Sequence, residues 1–198
     1  MPAMTRRAAL AGLATLPVLP RSAAATPRRY HLDAEGSRVG FSFVLNGIAQ
    51  AGSMPVSRAE ILVDPERLAA TSVDVSVDVG AARTPLIFAT RALKSETVLN
   101  AARFPSIRFV STAVHLAADG RLSGGARLDG LLTLRGRTRP LTLHAALYRA
   151  RGTEPDDLRH LSVHLTGDLS RRAFGASGFP DLVQDRVSLD ILAVIRRI

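Results

Sequence analysis

Apolar and polar residues alternate along most of the chain after about residue 30. Residues 71–79 read TSVDVSVDV, so every second side chain is a valine. A period of two places the valines on one face of a strand and the Asp and Ser side chains on the other. An unpaired carboxylate is costly to bury. The valine face is therefore predicted to lie inside the protein, with Asp74 and Asp78 in water.

The same alternation recurs in six further rows of residues. Turn-forming residues separate several rows, at Asn46–Gly47, Asp64–Pro65, 118–120 and 152–155. Many short strands joined by turns predict an all-β antiparallel fold, either a sandwich or a barrel. The apolar rows are Val39, Phe41, Phe43 and Leu45; Ile107 and Phe109; Gly130, Leu132 and Leu134; Leu141, Leu143, Ala145 and Leu147; Leu161, Val163, Leu165 and Leu169; and Val187, Leu189, Ile191, Ala193 and Ile195.

Two segments depart from this alternation. Residues 84–102 contain Pro85 followed by a run rich in helix formers, which predicts one or two short helical turns between strands. Residues 171–184 form a long predicted loop with two glycines and two phenylalanines. Loops of this length in a compact domain are often functional.

The N-terminal residues resemble a secretory signal peptide. A basic stretch at 1–7 precedes an apolar run of 13 residues at 8–20, and Ala23–Ala25 fits a small-residue cleavage site. The run is too short to span a bilayer. We expect residues 1–25 to be removed and residues 26–198 to form a single domain in the periplasm or outside the cell. Thr5, Arg6 and Arg7 partly resemble a twin-arginine signal, so the export route stays open.

Composition narrows the partners and excludes thiol chemistry. The chain has no cysteine and a formal net charge of +9, which falls to about +6 once Arg6, Arg7 and Arg21 are removed. The basic residues are spread along the chain and Trp is absent, so no platform for nucleic acid is expected. Weak contact with an anionic membrane surface remains open, as does a homodimer.

No residue pattern points to catalysis, a metal or a cofactor. His160 and His164 are the only histidines close in sequence, and four residues along a strand separate them by roughly 13 Å. One metal ion cannot bridge that distance. The chain also lacks a G-x-S-x-G elbow, a P-loop and a Rossmann glycine pattern. We therefore expect a protein that is not an enzyme and that needs no cofactor.

The apolar residues outside the strands suggest a binding site. Phe88, Phe174 and Phe179 lie in the two segments that interrupt the strands. Apolar side chains in such loops are expected where an apolar ligand enters.

Six motifs occur in the order found in one known family. They are Tyr30-His31-Leu32-Asp33 with Ser37-Arg38-Val39 and Phe41; Ile61–Asp64; Val73–Val79; Leu93-Lys94-Ser95 with Phe104–Ser111; Gly130–Gly136 with Thr138–Leu143; and Leu169-Ser170-Arg171 with Phe174-Gly175, Asp185 and Val187. Each is weak alone, but together they cover about 165 residues. The chain resembles the YceI-like family from Tyr30 to about Ile195.

This resemblance implies a single antiparallel, lipocalin-like β-barrel, with the helical segment near residues 84–102. It also implies that the barrel binds a polyisoprenoid, a quinone-like amphiphile or another long apolar lipid, which the protein transports or stores. The apolar lining is then expected to include Phe41, Phe43, Phe88, Leu93, Leu99, Phe104, Phe109, Leu132, Leu134, Leu143, Phe174 and Phe179. Arg91, Lys94 and Arg171 are the candidates for contact with a lipid head group.

Two other functions stay open from the sequence. One is a ligand-free barrel with a structural, stress-response or protein-interaction role. The other is an enzyme acting on a small lipid, which would need a buried pair of titratable groups inside the barrel.

Overall fold

The alternating rows of the sequence form the strands of one continuous sheet. The computed structural model describes residues 27–64, 67–117, 125–148 and 157–198. The predicted signal peptide, Pro65 of the Asp64–Pro65 turn and the turns at 118–120 and 152–155 lie outside these residues. The strands are β1 (Arg28–Leu32), β2 (Arg38–Leu45), β3 (Ile48–Met54), β4 (Val56–Val63), β5 (Ser72–Asp78), β6 (Ser106–Leu116), β7 (Ala126–Leu134), β8 (Arg137–Tyr148), β9 (His160–Ser170) and β10 (Val183–Arg197).

The sheet closes on itself through the long strand β10. One side of β10 pairs with β9, and the other side pairs first with β2, from Val183 to Leu192, and then with β1, from Ile195 to Arg197. In the same way β3 pairs with β2, while β4 pairs with β1 and β5. Strands β1 and β2 therefore share one strand position around the barrel, and β3 and β4 share another.

The ten strands thus occupy eight strand positions in a closed antiparallel barrel. This confirms the predicted all-β barrel and decides between the barrel and the sandwich. Closure pairs strand edges that would otherwise stay exposed. A barrel of eight strands has an interior wide enough for packed side chains or for one small ligand.

Two tight turns at one end of the barrel have both central residues at positive φ. Asn46 and Gly47, at φ 49° and 81°, join β2 to β3, as the sequence predicted. Arg135 and Gly136, at φ 52° and 70°, join β7 to β8. Two-residue hairpins with this backbone match the right-handed twist of the paired strands. The second turn was not predicted, because arginine is an unusual residue at such a position.

The predicted helical segment forms one short helix, α1 (Ile87–Lys94). Pro85 precedes the helix, and the hydroxyl of Ser95 donates to the carbonyl of Ala92 at its C-terminal end. No side chain caps its N-terminus at Leu86. An isolated helix of eight residues is marginal in water, so α1 depends on packing its apolar face against the barrel. Short 3₁₀ helices occur at Leu68–Ala70 and Arg172–Phe174.

Cross-strand ion pairs lie on the outer face of the barrel. Both carboxylate oxygens of Asp74 accept hydrogen bonds from the guanidinium of Arg108 on the next strand, at 2.8 and 2.6 Å. Asp168 accepts hydrogen bonds from Arg186 and from the hydroxyl of Ser188. These partners lower the pKa of Asp168 to about 2.

The low pKa of Asp168 predicts a small loss of stability in acid. The carboxylate titrates near 3.8 when unfolded and near 2 when folded, so its contribution is complete above about pH 4 and disappears as the pH falls towards 2. The side chain is 42% exposed, which limits this contribution to less than about 1 kcal/mol. Asp168→Asn is therefore expected to lower the free energy of unfolding slightly at pH 7 and to have no effect near pH 2.

Urea unfolding of wild type and Asp168→Asn at several pH values tests this expectation. Asp181→Asn is the matched control, because the described residues give the Asp181 side chain no ion pair. A difference for Asp168→Asn that stays constant from pH 7 to pH 2 would contradict the pairing.

Candidate functional site

An apolar cavity of about 480 Å³ runs through the interior of the barrel. Pockets that hold small molecules typically measure roughly 300–1,000 Å³. Of the 47 described residues that line it, three have polar side chains, namely Ser37, Thr71 and Arg171. The inward residues of every row identified in the sequence contribute to the wall, so the strand faces are oriented as predicted. The cavity is therefore built from the alternation of the strands themselves.

Two phenylalanine rings lie over glycines and shape the wall. A Cβ atom added at Gly130 would come within 2.3 Å of the Phe109 ring, and one added at Gly52 would come equally close to the Phe41 ring. The glycines let the rings lie flat against the neighbouring strand instead of projecting into the cavity. The centroids of the Phe41 and Phe43 rings are 6.3 Å apart on the same strand.

The two ends of the cavity differ in their residues. At one end, Tyr30, Ile61, Val63, Leu161 and Ile195 form a separate buried cluster. The hydroxyl of Tyr30 donates to the carbonyl of Leu158 at 2.6 Å, and burial raises the pKa of Tyr30. This phenol stays neutral, and its hydrogen bond holds β1 to the segment before β9 at that end.

The other end is covered by α1, the two tight turns and the segment 171–182, and we call it the mouth. Phe88 from α1 lines the cavity yet is 62% exposed, and Phe179 and Leu182 also line it while 45% and 50% exposed. The amide of Asn46 donates to the carbonyl of Leu182 at 2.7 Å, and the amide of Gly178 donates to that of Thr97 at 2.9 Å. These bonds hold the covering segments to one another.

Arg171 is the one charged residue that the described part of the chain contributes to the cavity wall, and it is only 5% exposed. Its guanidinium donates to five backbone carbonyls, those of Gln184 (3.0 Å), Ala176 (2.7 Å), Gly178 (2.7 Å), Val183 (2.7 Å) and Phe179 (3.5 Å). Burial lowers the pKa of Arg171, but an arginine remains charged in proteins. The residue holds the segment 176–184 in place at the mouth.

The structure places most of the predicted lining residues on the cavity wall. These are Phe41, Phe43, Phe88, Leu93, Leu99, Phe109, Leu132, Leu134, Leu143 and Phe179. Phe104 and Phe174 are not among the lining residues. Phe104 packs against Gly136 with the Arg103 guanidinium 5.3 Å from its ring centroid, and Phe174 is buried in the hydrophobic core at 3% exposure. Membership of a loop did not distinguish a lining residue from a core residue.

The three head-group candidates lie in different surroundings. Arg91 is exposed on α1 and Lys94 is half-buried at its end, and neither lines the cavity. Arg171 does line it, but its five donors are already directed at backbone carbonyls. Its role in organising the mouth was missed, because a sequence pattern does not show which carbonyls converge on one side chain.

The cavity wall offers little for acid–base chemistry. Ser37 exchanges hydrogen bonds with the backbone of Val194, at 3.4 Å as donor and 3.0 Å as acceptor. His164 lies on the outer face, with Nε2 2.6 Å from a carboxylate oxygen of Asp190. Within the described ranges, no group of three or more His, Asp or Glu side chains is arranged to hold a metal ion. Nor, in that part of the chain, is any helix long and apolar enough to cross a membrane.

The chain is similar to several known proteins across most of its length. A UPF0312 protein of Vibrio cholerae is 27% identical over 179 residues, which cover 86% of this chain and 91% of the relative. Protein YceI of Salmonella newport is also 27% identical, over 168 residues that cover 83% of this chain and 85% of the relative.

Solved structures with the same fold are more distant in sequence. BcnA of Burkholderia cenocepacia superposes with a TM-score of 0.72 at 19% identity and covers 83% of this chain and 99% of its own. A polyisoprenoid-binding domain from Saccharophagus degradans gives 0.62 at 12% identity, covering 86% of this chain and 99% of its own. The model of the YceI-like domain matches residues 30–195. With the closed eight-stranded barrel and its apolar interior, this match shows that the chain belongs to the YceI-like family.

Proposed function

We propose that this protein binds the apolar chain of a long lipid, of the polyisoprenoid or quinone-like class, inside its barrel, and carries or stores it outside the cytoplasm. The observation that supports this best is the wall of the cavity, in which 44 of the 47 described lining residues are apolar. The Saccharophagus degradans neighbour is described as a polyisoprenoid-binding domain, which agrees with this ligand class.

The energetics of burial favour such a ligand without any polar motif. Each buried CH₂ group contributes about 0.8 kcal/mol, so a five-carbon isoprene unit contributes roughly 3 to 4 kcal/mol. Two or three units in the cavity would offset the several kcal/mol that association costs in lost translational and rotational freedom. The ten predicted lining residues on the wall are the proposed contacts for this chain.

The shape of the cavity favours an extended chain over a compact ring system. Its wall follows β10 from Val183 to Ile195, which is about 40 Å of strand at roughly 3.3 Å per residue. Strands in such barrels tilt by about 35–45°, so the cavity extends roughly 30 Å along the barrel axis. A volume of about 480 Å³ spread over that length leaves room for one narrow chain.

We further propose that the protein binds its lipid without transforming it. The polar side chains of the wall do not form a pair of acid and base, and Arg171 is committed to backbone carbonyls. The expected signal peptide supports export, and residues 26–198 would then be the mature domain. Arg91 and Lys94 stay the proposed head-group contacts, since both lie on the helix that supplies Phe88 and Leu93 to the cavity.

One observation favours a ligand-free, protein-interaction barrel as the second candidate. Among the described residues, β3 pairs with β2 along one edge, and its other edge makes only the bridge between Ser53 and Arg83. Ala49 and Ala51 are exposed beside that edge. A free strand edge can accept an extended segment from a partner.

Native mass spectrometry of the protein exported by its own cells distinguishes these candidates. We expect one apolar lipid per protein, released by organic extraction and identified from the extract. Protein that is empty as isolated, and still empty after incubation with polyprenyl and quinone lipids, would reject lipid binding and favour the protein-interaction role. The mass of the same sample also shows whether residues 1–25 have been removed.

A further inference from the structure

We infer that the mouth of the barrel docks on an anionic membrane surface, with the cavity opening towards the bilayer. The direction of this docking rests on the proposed function, because it is the lipid that would pass through the mouth. The docking surface itself rests on two independent observations, namely where the exposed apolar side chains lie and where the net charge lies.

Large exposed apolar side chains surround the mouth, and we call Ile48, Ile87, Phe88, Phe179 and Leu182 the apolar rim. Their exposed fractions are 66%, 75%, 62%, 45% and 50%. They come from three separate segments, which are the β2–β3 hairpin, α1 and the loop before β10. Contiguous exposed apolar groups on a soluble protein mark a site of interaction.

The rim is continuous with the cavity. Phe88, Phe179 and Leu182 contribute to both, since they line the cavity and reach solvent. Ile48 and Ile87 do not line it, so they belong only to the outer surface. A lipid chain leaving the cavity would pass from one apolar surface to the other without crossing water.

The net charge of the domain is concentrated at the same end. Residues 79–105, 135–139 and 171–182 contain nine of the 23 Lys and Arg residues found after residue 26, but only two of the 17 Asp and Glu residues. These mouth segments carry a formal charge of +7, while the rest of residues 27–198 carries −1. Asp78 and Asp185 adjoin these segments and reduce the charge at the mouth to +5, out of +6 for residues 27–198.

The cations at the mouth form no salt bridge with a described carboxylate, although Asp185 lies near Arg171 and Arg172. None of the nine cations lies within 4.0 Å of a carboxylate among the described residues, whereas Arg58, Arg108, Arg159 and Arg186 on the barrel wall each do.

The opposite end also has cations without an ion pair among the described residues, namely Arg28, Arg29, Arg196 and Arg197, so the distinction of the mouth is its combination of cations with exposed apolar side chains. Arg171 is buried and bound to backbone carbonyls, but the other eight Lys and Arg side chains lie at the mouth beside exposed apolar residues and fit an anionic leaflet. The apolar groups enter the interface and the cations remain among the phosphates.

Vesicle flotation of the exported protein tests this surface. We expect binding to vesicles of phosphatidylethanolamine with phosphatidylglycerol, weakening as salt is added, and little binding to phosphatidylcholine alone. The double variant Ile48→Ser/Ile87→Ser should weaken binding to the anionic vesicles at least about tenfold. Ile198→Ser is the matched control, because Ile198 is 79% exposed and lies at the opposite end, where its amide donates a hydrogen bond to the carbonyl of Arg29.

A second pair of variants tests the charge. Arg91→Glu, on α1, should weaken binding to anionic vesicles by about fivefold or more, and Arg28→Glu, on β1, should change it by less than about twofold. Equal effects of Arg91→Glu and Arg28→Glu would mean that net charge alone drives binding, which overturns a defined docking surface. Salt-sensitive binding that does not respond to Ile48→Ser/Ile87→Ser also overturns it, because attraction between charges would then explain the binding without the apolar rim.

Lipid analysis of the same samples separates this inference from the proposed function. Ile48→Ser/Ile87→Ser protein should still contain extractable lipid, because neither residue lines the cavity. Wild-type protein that contains lipid but ignores anionic vesicles rejects the docking surface alone. Protein that binds these vesicles through the rim but contains no lipid, as isolated or after incubation, rejects the proposed function.

Discussion

Leu132→Glu is expected to abolish lipid loading and to lower the free energy of unfolding by about 3–5 kcal/mol. Leu132 lies on the cavity wall at 6% exposure, opposite Phe109 on the neighbouring strand. A carboxylate at this position would face the hydrocarbon side chains of the cavity wall, and its cross-strand neighbour on β8, Arg139, already donates to the carbonyl of Ala173 at 2.7 Å. The carboxylate would cost stability in the empty barrel and would exclude an apolar chain from the cavity.

The adjacent residue provides the control for this variant. Leu131 points to the outer face of the same strand and is 42% exposed, so Leu131→Glu should change the free energy of unfolding by less than about 0.5 kcal/mol and leave loading intact. Urea unfolding measures stability, and native mass spectrometry of the exported protein measures loading. Folded Leu132→Glu protein that retains wild-type lipid would show that the lipid does not occupy the barrel.

A second variant keeps the test decisive if Leu132→Glu fails to fold. Val75→Phe adds a ring to the cavity wall, where there is free volume to receive it. We expect it to reduce loading several-fold while changing the free energy of unfolding by less than about 1.5 kcal/mol. Unchanged loading in this stable variant would also argue against a lipid in the barrel.

Arg171→Met is expected to lower the free energy of unfolding by roughly 3–5 kcal/mol, because it leaves several backbone carbonyls near the mouth without a donor. Hydrogen bonds to a charged group contribute about 1.5–3 kcal/mol each, and those that act together do not add fully. The loss should also reduce lipid loading, since these carbonyls belong to the segment that carries Phe179 and Leu182. Arg171→Lys should recover only part of the stability, because an ammonium group lacks the planar fork of donors.

The next residue again gives a matched control. Arg172 is exposed, and its side chain makes one hydrogen bond, to the carbonyl of Pro180 at 3.2 Å. Arg172→Met should therefore change stability by less than about 1 kcal/mol. Hydrogen exchange of the amides in 176–184 would locate the effect of Arg171→Met at the mouth. A stability within 1 kcal/mol of wild type for Arg171→Met would mean that the five bonds do not organise this segment.

The Leu131 and Leu132 pair illustrates how much of the fold could be predicted from the sequence. The alternation of each row assigned the inward side chains correctly, because successive side chains of a strand point to opposite faces whatever the strand packs against. The helical turns near 84–102 and the Asn46–Gly47 hairpin were likewise predictable, since local backbone preferences determine them. The family resemblance then selected the barrel, which alternation alone could not separate from a sandwich.

The candidate site could be predicted only as far as its strands. Leu134 and Phe109 follow from the rows, whereas Phe174 and Phe179, five residues apart in one loop, took opposite positions, one in the core and one at the mouth. No periodicity governs a loop, so only the tertiary contacts decide which side chains it buries. The same holds for Arg171, whose five carbonyl partners are brought together by the path of the loop before β10.

The sequence by itself determined which faces of the strands are apolar, and therefore that the protein has an apolar interior. The tertiary structure alone decided that this interior is a cavity with a mouth, and that exposed apolar side chains and unpaired cations meet there. The reason is physical: strand periodicity is a property of neighbouring residues, whereas a cavity and its charge arise where segments distant in sequence converge as the barrel closes.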